Sequence, residues 1–441
     1  MYCHKIAFLS LSRAKRLPVL AAALWFGAAG SATALESAPR SLTLADALGL
    51  AERQGYDFLL ADAALRGAEG DLAAARRPAN PFLSGGLVRS TGVPQGGSNT
   101  SAHGYTLSLA DQGIVEGVVS GKRGLRVREA EAAVASARAN RDDALRLLRF
   151  QVAQAFFGVL AAEASEQVDR DVARSFSRTL DLVQVRFRYG AVSEVDLDRV
   201  ETAKLEAEQA VAGATAQVAQ AKATLTFLLG GIPEDFEAKA PLEGPAPAWL
   251  SADPNQLISE ALARRPDVQA ARSALGRAEA ALELARRLRL PDMTLSAGYA
   301  REGPDAAPIT PPSVTVGAAF ELPVFNQRQG EIARAESDRL SARITLDRVS
   351  AQAAADVLSA RASYVAAREQ VDRMIDRLLE RARRARELVR LQYGAGAISL
   401  IDLLDAERTA LAVELEYEQN HSALRTALAQ VATAMGREVT P

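Results

Sequence analysis

Two long stretches without proline constrain this chain more than any other feature. One runs from Lys122 to Leu229 and the other from Val324 to Thr440. In the first, Leu145, Leu148, Val152, Phe156 and Val159 recur at spacings of 3, 4, 4 and 3, an apolar stripe along one helix face. In the second, Val371, Ile375, Leu378, Ala382, Ala385 and Val389 alternate at spacings of 4 and 3, the seam of a coiled coil. A helix from Lys122 to Tyr189 would be about 100 Å long at about 1.5 Å per residue. A return helix from Ser193 to Leu229 covers only about 55 Å. The Ala-rich stretch Asp57 to Arg77 supplies roughly 30 Å more. The expectation is one long helix flanked by two shorter ones stacked end to end.

Each stretch is interrupted once, by the same phrase. The first copy is Tyr189-Gly190-Ala191-Val192-Ser193-Glu194-Val195-Asp196-Leu197-Asp198. The second is Tyr393-Gly394-Ala395-Gly396-Ala397-Ile398-Ser399-Leu400-Ile401-Asp402-Leu403-Leu404-Asp405. Both read as a Tyr-Gly helix stop followed by a Ser-x-x-Asp-Leu restart, and the second carries two extra residues between Tyr and Ser. A hairpin tip used twice implies an internal duplication.

The remaining segments repeat in the same order. Ser41-Leu42-Thr43-Leu44 caps a short helix, Leu44 to Arg53, which Gly55 breaks. Strands are expected at 82–90 and 105–110, joined by a Gly/Ser/Asn-rich loop, Thr91 to Gly104. Gly230 to Gln256, with Pro233, Pro241, Pro245, Pro247 and Pro254, reads as a linker. Beyond it, Ala261-Leu262-Ala263 and Arg265-Pro266-Asp267 lead into a helix to Leu288. Strands follow at 292–301 and 314–320 around a Pro/Gly-rich loop, Glu302 to Pro312. The expected layout is a signal peptide at 1–34, a first repeat at 35–229, a linker at 230–256 and a second repeat at 257–441. The signal rests on basic Lys5, Arg13, Lys15 and Arg16, an apolar run from Leu17 to Ala29, and the small-x-small site Ala32-Thr33-Ala34.

Composition narrows the function. Without the signal, 48 Lys plus Arg face 54 Asp plus Glu, a net charge of −6, which does not suggest nucleic acid as a partner. Cys3 leaves with the signal, so no disulfide or thiol chemistry is expected. His103 and His421 stand far apart, and Met293, Met374 and Met435 are dispersed. No metal site, copper path or cofactor is expected from them. No stretch beyond the signal has about 18 consecutive apolar residues, so no membrane-spanning helix is expected.

The strands approach the length a tilted membrane-spanning strand needs, about 9–11 residues. Four strands cannot close a barrel, because outer-membrane barrels have about 8 or more, and open edges are not tolerated in lipid. They are therefore soluble hairpins or a share of a barrel built by several copies. Physics alone does not choose between a dimer with 8 strands and a trimer with 12.

Signal, duplication, short strand hairpins, proline-free helices and the Tyr-Gly…Ser-x-x-Asp-Leu tips together resemble the TolC family of outer-membrane efflux proteins, over Leu42 to Gly436. The resemblance implies a homotrimer. Each subunit gives four strands to a 12-stranded outer-membrane β-barrel and long helices to an α-helical tunnel across the periplasm of a Gram-negative bacterium. It implies outer-membrane lipid, a periplasmic adaptor (membrane fusion protein) and an inner-membrane pump of the RND type as partners, and no enzymatic activity. Gly121-Lys122-Arg123-Gly124 and Leu322-Pro323-Val324-Phe325-Asn326-Gln327-Arg328-Gln329-Gly330-Glu331-Ile332 resemble the branch that works with heavy-metal pumps of the cobalt-zinc-cadmium type. Branches that export drugs share parts of these motifs. Drug export or type I protein secretion is therefore the alternative, and a soluble periplasmic adaptor the more distant one.

The resemblance assigns roles at the tips. Tyr393, Asp402 and Asp405 fall where the family places its closed periplasmic entrance. Tyr189, Gly190, Ser193, Asp196, Gly394, Gly396 and Ser399 form the tips that meet the adaptor. Asp402 and Asp405 are three apart and share a helix face; six such carboxylates around one axis would attract cations and resist staying closed. Capping reads the same residues differently. Ser399-x-x-Asp402 and Ser193-x-x-Asp196 are also N-caps with an acid at the third helical position. Some family members carry an arginine where this chain has Ile398, so the closed state is expected to rest on Tyr393 and apolar contacts.

Overall fold

The computed structural model describes residues 41–92, 100–111, 120–231, 236–239, 247–302, 311–320 and 322–438. The expected signal peptide and the distal parts of both strand loops lie outside the described residues. In order, the chain forms β1 (Ser41–Leu42), α1 (Leu44–Gln54), α2 (Tyr56–Ala75), β2 (Phe82–Gly92), β3 (Thr100–Ala110), α3 (Lys122–Arg188) and α4 (Glu194–Leu228). There follow β4 (Glu237–Ala238), a 3₁₀ turn (Ala248–Ser251), α5 (Pro254–Arg264), α6 (Pro266–Arg287), β5 (Met293–Glu302) and β6 (Ser313–Phe320). The chain closes with α7 (Gln329–Arg373), a π-helical turn (Met374–Leu379), α8 (Glu380–Gly394) and α9 (Leu400–Ala434).

The long helix is flanked end to end. Tyr56, opening α2, meets Phe227 near the end of α4 with ring centroids 6.1 Å apart. The Tyr56 hydroxyl donates to the Gly230 carbonyl at 3.5 Å. A side chain at Gly230 would lie 2.6 Å from the Gln54 carbonyl oxygen, so only glycine permits this junction. The second half repeats the device: a Cβ at Gly436 would lie 3.2 Å from the Arg265 nitrogen, where α9 ends against the start of α6.

The core sits beside these junctions. α1 buries Leu44, Ala47, Leu48 and Ala51 against Leu148, Val152, Phe156 and Val159 of α3 and Leu225 of α4. Leu257 and Ala261 of α5 pack likewise on Val357, Ala360 and Tyr364 of α7 and Val431 of α9. By length and composition alone α3 is apolar enough to cross a membrane, although it holds no run of 18 consecutive apolar residues. Val152, Phe156 and Val159, fully buried in the core with α1, supply part of that apolar content.

Four expectations change. Thr43, not the whole Ser41–Leu44 segment, caps α1: its hydroxyl accepts from the Asp46 amide at 3.2 Å, while Ser41–Leu42 pairs in parallel with β4. The expected linker contributes to the fold: Phe236 and Ala238 are buried, and Asp253 caps α5 by accepting from the Asn255 amide at 2.7 Å. Three strands outgrow their expected bounds, and the third in order shifts by one residue at the same length, with pairing continuing through Gly92↔Thr100 and Gly104↔Glu302. The coiled-coil seam is broken by the π turn. Ile375 and Leu378 stand 49% and 44% exposed. The inward residues are instead Val371, Met374, Leu379, Ala382, Arg386, Val389 and Tyr393. The five-residue step from Met374 to Leu379 is the extra residue that a π turn inserts.

The sheet runs β2-β3-β5-β6, antiparallel throughout. Its register sorts side chains by face. One face carries Leu83, Leu87, Tyr105, Leu107, Leu109, Leu295, Tyr299, Val314, Val316 and Phe320, all exposed. The other is mostly Ser, Gly and Thr, with the Ser84 and Ser108 hydroxyls 2.6 Å apart. Among the described residues the outer edges of β2 and β6 have no strand partner.

Candidate functional site

Both tips are built from helix ends. At the first, α3 stops at Arg188, Gly190 turns left-handed at φ +71°, and the Ala191 amide reaches back to the Arg186 carbonyl at 2.9 Å. At the second, Gly396 turns at φ +75° and the Ala397 amide reaches the Gln392 carbonyl at 2.9 Å. This is the Schellman closure of a helix C-terminus. The expected Tyr-Gly stop is therefore corrected for the second copy. α8 runs through Gly394, and Gly396 is the counterpart of Gly190. From these glycines the spacing to Ser193 and Ser399 is identical, so the two extra residues lengthen the incoming helix rather than the turn. Phe187, not Tyr189, is the counterpart of Tyr393.

The restarts are near copies. Ser193 accepts from the Asp196 amide at 3.2 Å, and its hydroxyl donates to the Asp196 carboxylate at 2.9 Å. Ser399 accepts from the Asp402 amide at 3.3 Å, while Asp402 accepts from the Ser399 amide at 3.1 Å and hydroxyl at 2.7 Å. Asp402 thus closes a full capping box. Asp196 also stands 3.8 Å from Arg199.

The tyrosines differ. Tyr189 is 85% exposed; Tyr393 is 5% exposed. Tyr393 packs with Val183, Val200, Leu400 and Leu403, and the partly buried Ile398 and Leu404 join them. The Arg186 guanidinium lies 4.9 Å above its ring and donates to the Tyr393 and Gly394 carbonyls at 3.1 and 3.0 Å. A cation from the first hairpin thereby satisfies the C-terminus of the second hairpin's helix. Burial pushes the Tyr393 phenol above its ordinary range; Arg186 opposes this and the charge of Asp196 adds to it. The sequence reading missed Arg186. Its signal was its place in the last turn of α3, where a cation suits a helix end.

Asp405 faces an open groove between α4 and α9, among Val195, Asp198, Arg199, Ile401 and Arg408. Above it, Arg390 pairs with Glu407 and donates to the Ser175 hydroxyl at 2.5 Å, in a layer where Glu407 is 1% exposed. The histidines and methionines stand apart. The His421 ring stacks on Tyr417 at 5.6 Å, Met374 accepts from Asn420 at 2.9 Å, Met435 is buried in the second core, and His103 and Met293 lie on strands.

The two motifs behind the metal-branch resemblance are architectural. Lys122 is fully buried, pairs with Asp292, and donates to the Leu290 carbonyl at 2.8 Å, joining α3 to the connection between α6 and β5. Arg328 adopts φ +58° with its amide held by Asn326 at 2.9 Å, and Arg289 donates to Gln327 at 3.3 Å.

The model of the family described as "Outer membrane efflux protein" matches residues 47–231 and 257–437. The chain belongs to that family. Its fold is that of the TolC-like channels and its place is the outer membrane, extending into the periplasm. The cobalt-zinc-cadmium resistance protein CzcC of Cupriavidus metallidurans is 28% identical over 383 residues, covering 85% of each chain. The pyoverdine export outer membrane protein OpmQ of Pseudomonas aeruginosa is 27% identical over 292 residues, 65% of this chain and 59% of that protein. The CmeC outer membrane channel of Campylobacter jejuni superposes with a TM-score of 0.77 at 18% identity, covering 90% of this chain and 87% of that one.

Proposed function

We propose that this chain is one subunit of a homotrimeric channel, the exit duct of a tripartite efflux system that passes metal cations without catalysis. The sheet carries this reading. Its strands of 11, 11 and 10 residues match a tilted membrane span of about 9–11, and the fourth, of 8, is close to it. Its two unpaired edges need strands from other copies, because lipid offers no hydrogen bonds. The Leu/Val/Tyr face would meet lipid and the Ser/Gly/Thr face the pore. Exposed Ile375, Leu378, Leu388 and Leu391 along α8 and its π turn suit a neighbouring subunit.

The metal cargo rests on the similarity, over 85% of each chain, to a cobalt-zinc-cadmium resistance protein. An inner-membrane RND-type pump and a periplasmic adaptor would supply it. Tyr189, Gly190, Ser193, Asp196, Gly394, Gly396 and Ser399 would meet the adaptor, with Asp402, Asp405 and Tyr393 at the entrance. Growth of a deletion strain on zinc, cobalt, cadmium and copper tests the cargo. Sensitivity to one or more of these metals with unchanged antibiotic resistance is expected; the reverse pattern would replace metal by small organic substrates. The similarity to a pyoverdine exporter favours that second reading.

A further inference from the structure

Where the strands give way to helices, arginine stands beside exposed apolar side chains. Arg76 and Arg77 follow α2, Arg123 and Arg126 open α3, and Arg286 and Arg287 end α6. At the same level Leu290, Leu322, Val324 and Phe325 are 46%, 69%, 67% and 95% exposed. Such side chains are unfavourable in bulk water and favourable at a membrane interface, where arginine reaches headgroups while its stem covers apolar surface.

One groove at this level has fixed walls. Lys122 ties the start of α3 to the Leu290 carbonyl, and Arg287 Nε donates to the Ser120 carbonyl at 2.7 Å. The groove between them holds about 580 Å³ and is lined by Ser120, Gly121, Arg128, Arg286, Arg287 and Leu290. Arg286 pairs with Glu336 at 2.8 Å, and Arg128 lies 3.8 Å from Glu283, which also lines the groove. Arg287 uses Nε on a carbonyl oxygen and has no carboxylate partner among the described residues. Three guanidiniums meet one lining carboxylate in a chain that is otherwise net negative.

We propose that this groove binds the phosphate headgroup of an anionic phospholipid from the periplasmic leaflet of the outer membrane. The guanidinium of Arg287, with Arg128 beside it, takes the phosphate oxygens. The acyl chains pass over Leu290 toward the apolar face of the sheet. The inference rests on the reading that the sheet spans that membrane. It also explains the dense arginine at the strand–helix junctions, which the conduction pathway does not require.

The test uses the full protein in a neutral detergent, with bound lipid read by native mass spectrometry. Phosphatidylglycerol is expected to be retained about tenfold better than phosphatidylcholine, and inorganic phosphate at equal concentration is expected not to displace it. Arg287→Gln with Arg128→Gln should cut that preference about tenfold while channels still form in planar bilayers. Arg128→Gln alone, which breaks only a 3.8 Å contact, should cut it in part and guards against a folding defect. Equal retention of both lipids, full retention by the variants, or displacement by phosphate overturns the proposal. Wild-type protein that fails to insert into bilayers would instead overturn the membrane reading of the sheet.

Discussion

The first and second hairpin tips share a phrase and use it differently. At the first, Tyr189 follows the end of the helix and projects into solvent. At the second, two inserted residues extend α8 past the same point, carrying Tyr393 inward beneath Arg186. Two residues advance a helix by about 200°, so the insertion moves the tyrosine to another face. The left-handed glycine and the capping serine then restore an identical restart. The duplication kept the turn and changed what enters it. The first tip leaves its tyrosine in solvent, and the second is locked to its neighbour through Arg186.

That contrast breaks most readily at the tyrosines. Tyr393→Ala is expected to lower the local stability of the tips by about 3–5 kcal/mol, as for other buried aromatics. Tyr189→Ala should stay within about 0.5 kcal/mol, as for an exposed residue. Hydrogen exchange of the tip amides measures both, and equal effects would erase the distinction. Next comes Arg186→Ala, which removes a charged donor from two carbonyls and should cost about 2 kcal/mol by the same measurement.

The glycines sharpen the assignment. Gly396→Ala should cost about 1.5 kcal/mol because φ is +75° there. Gly394→Ala lies within the helix and should be neutral, or stabilising by about 0.5 kcal/mol. The reverse order would restore Tyr-Gly as the stop.

The smallest effect is at neutral pH. Tyr393→Phe should be close to neutral, because its hydroxyl is buried with no hydrogen-bond partner among the described residues. Alkaline pH separates the two proteins. Burial raises the Tyr393 pKa in the folded state, so the unfolded or opened tip loses its proton first. This stability is complete below the ordinary value of about 10 and is lost as pH rises through the folded value. The wild-type tips should therefore loosen in that window while Tyr393→Phe does not.

Much of this was legible in the sequence. Proline-free stretches gave the helices, the period-2 segments gave the strands, and Ser-x-x-Asp gave both restarts, because each depends on local chemistry. What escaped depends on partners distant in sequence. Arg186 acquires meaning only when α8 lies beside α3. The π turn at Met374–Leu379 shifts which residues of the helix face inward, and no residue type announces it. Lys122 enters the sequence reading only as part of a family motif, and its structural role needs Asp292 and the Leu290 carbonyl to enclose it. β4 in the proline-rich connection exists only because β1 pairs with it.

The central claim is that the second tip, not the first, controls entry. Single-channel recording in planar bilayers tests it with Asp405→Ala beside Asp196→Ala. Asp405 stands exposed on the groove between the return helices, and Asp196 is engaged with its own cap. The account predicts higher conductance and weaker block by divalent cations for Asp405→Ala, with wild-type behaviour for Asp196→Ala. Unchanged block in Asp405→Ala, or an equal change in both variants, would contradict it.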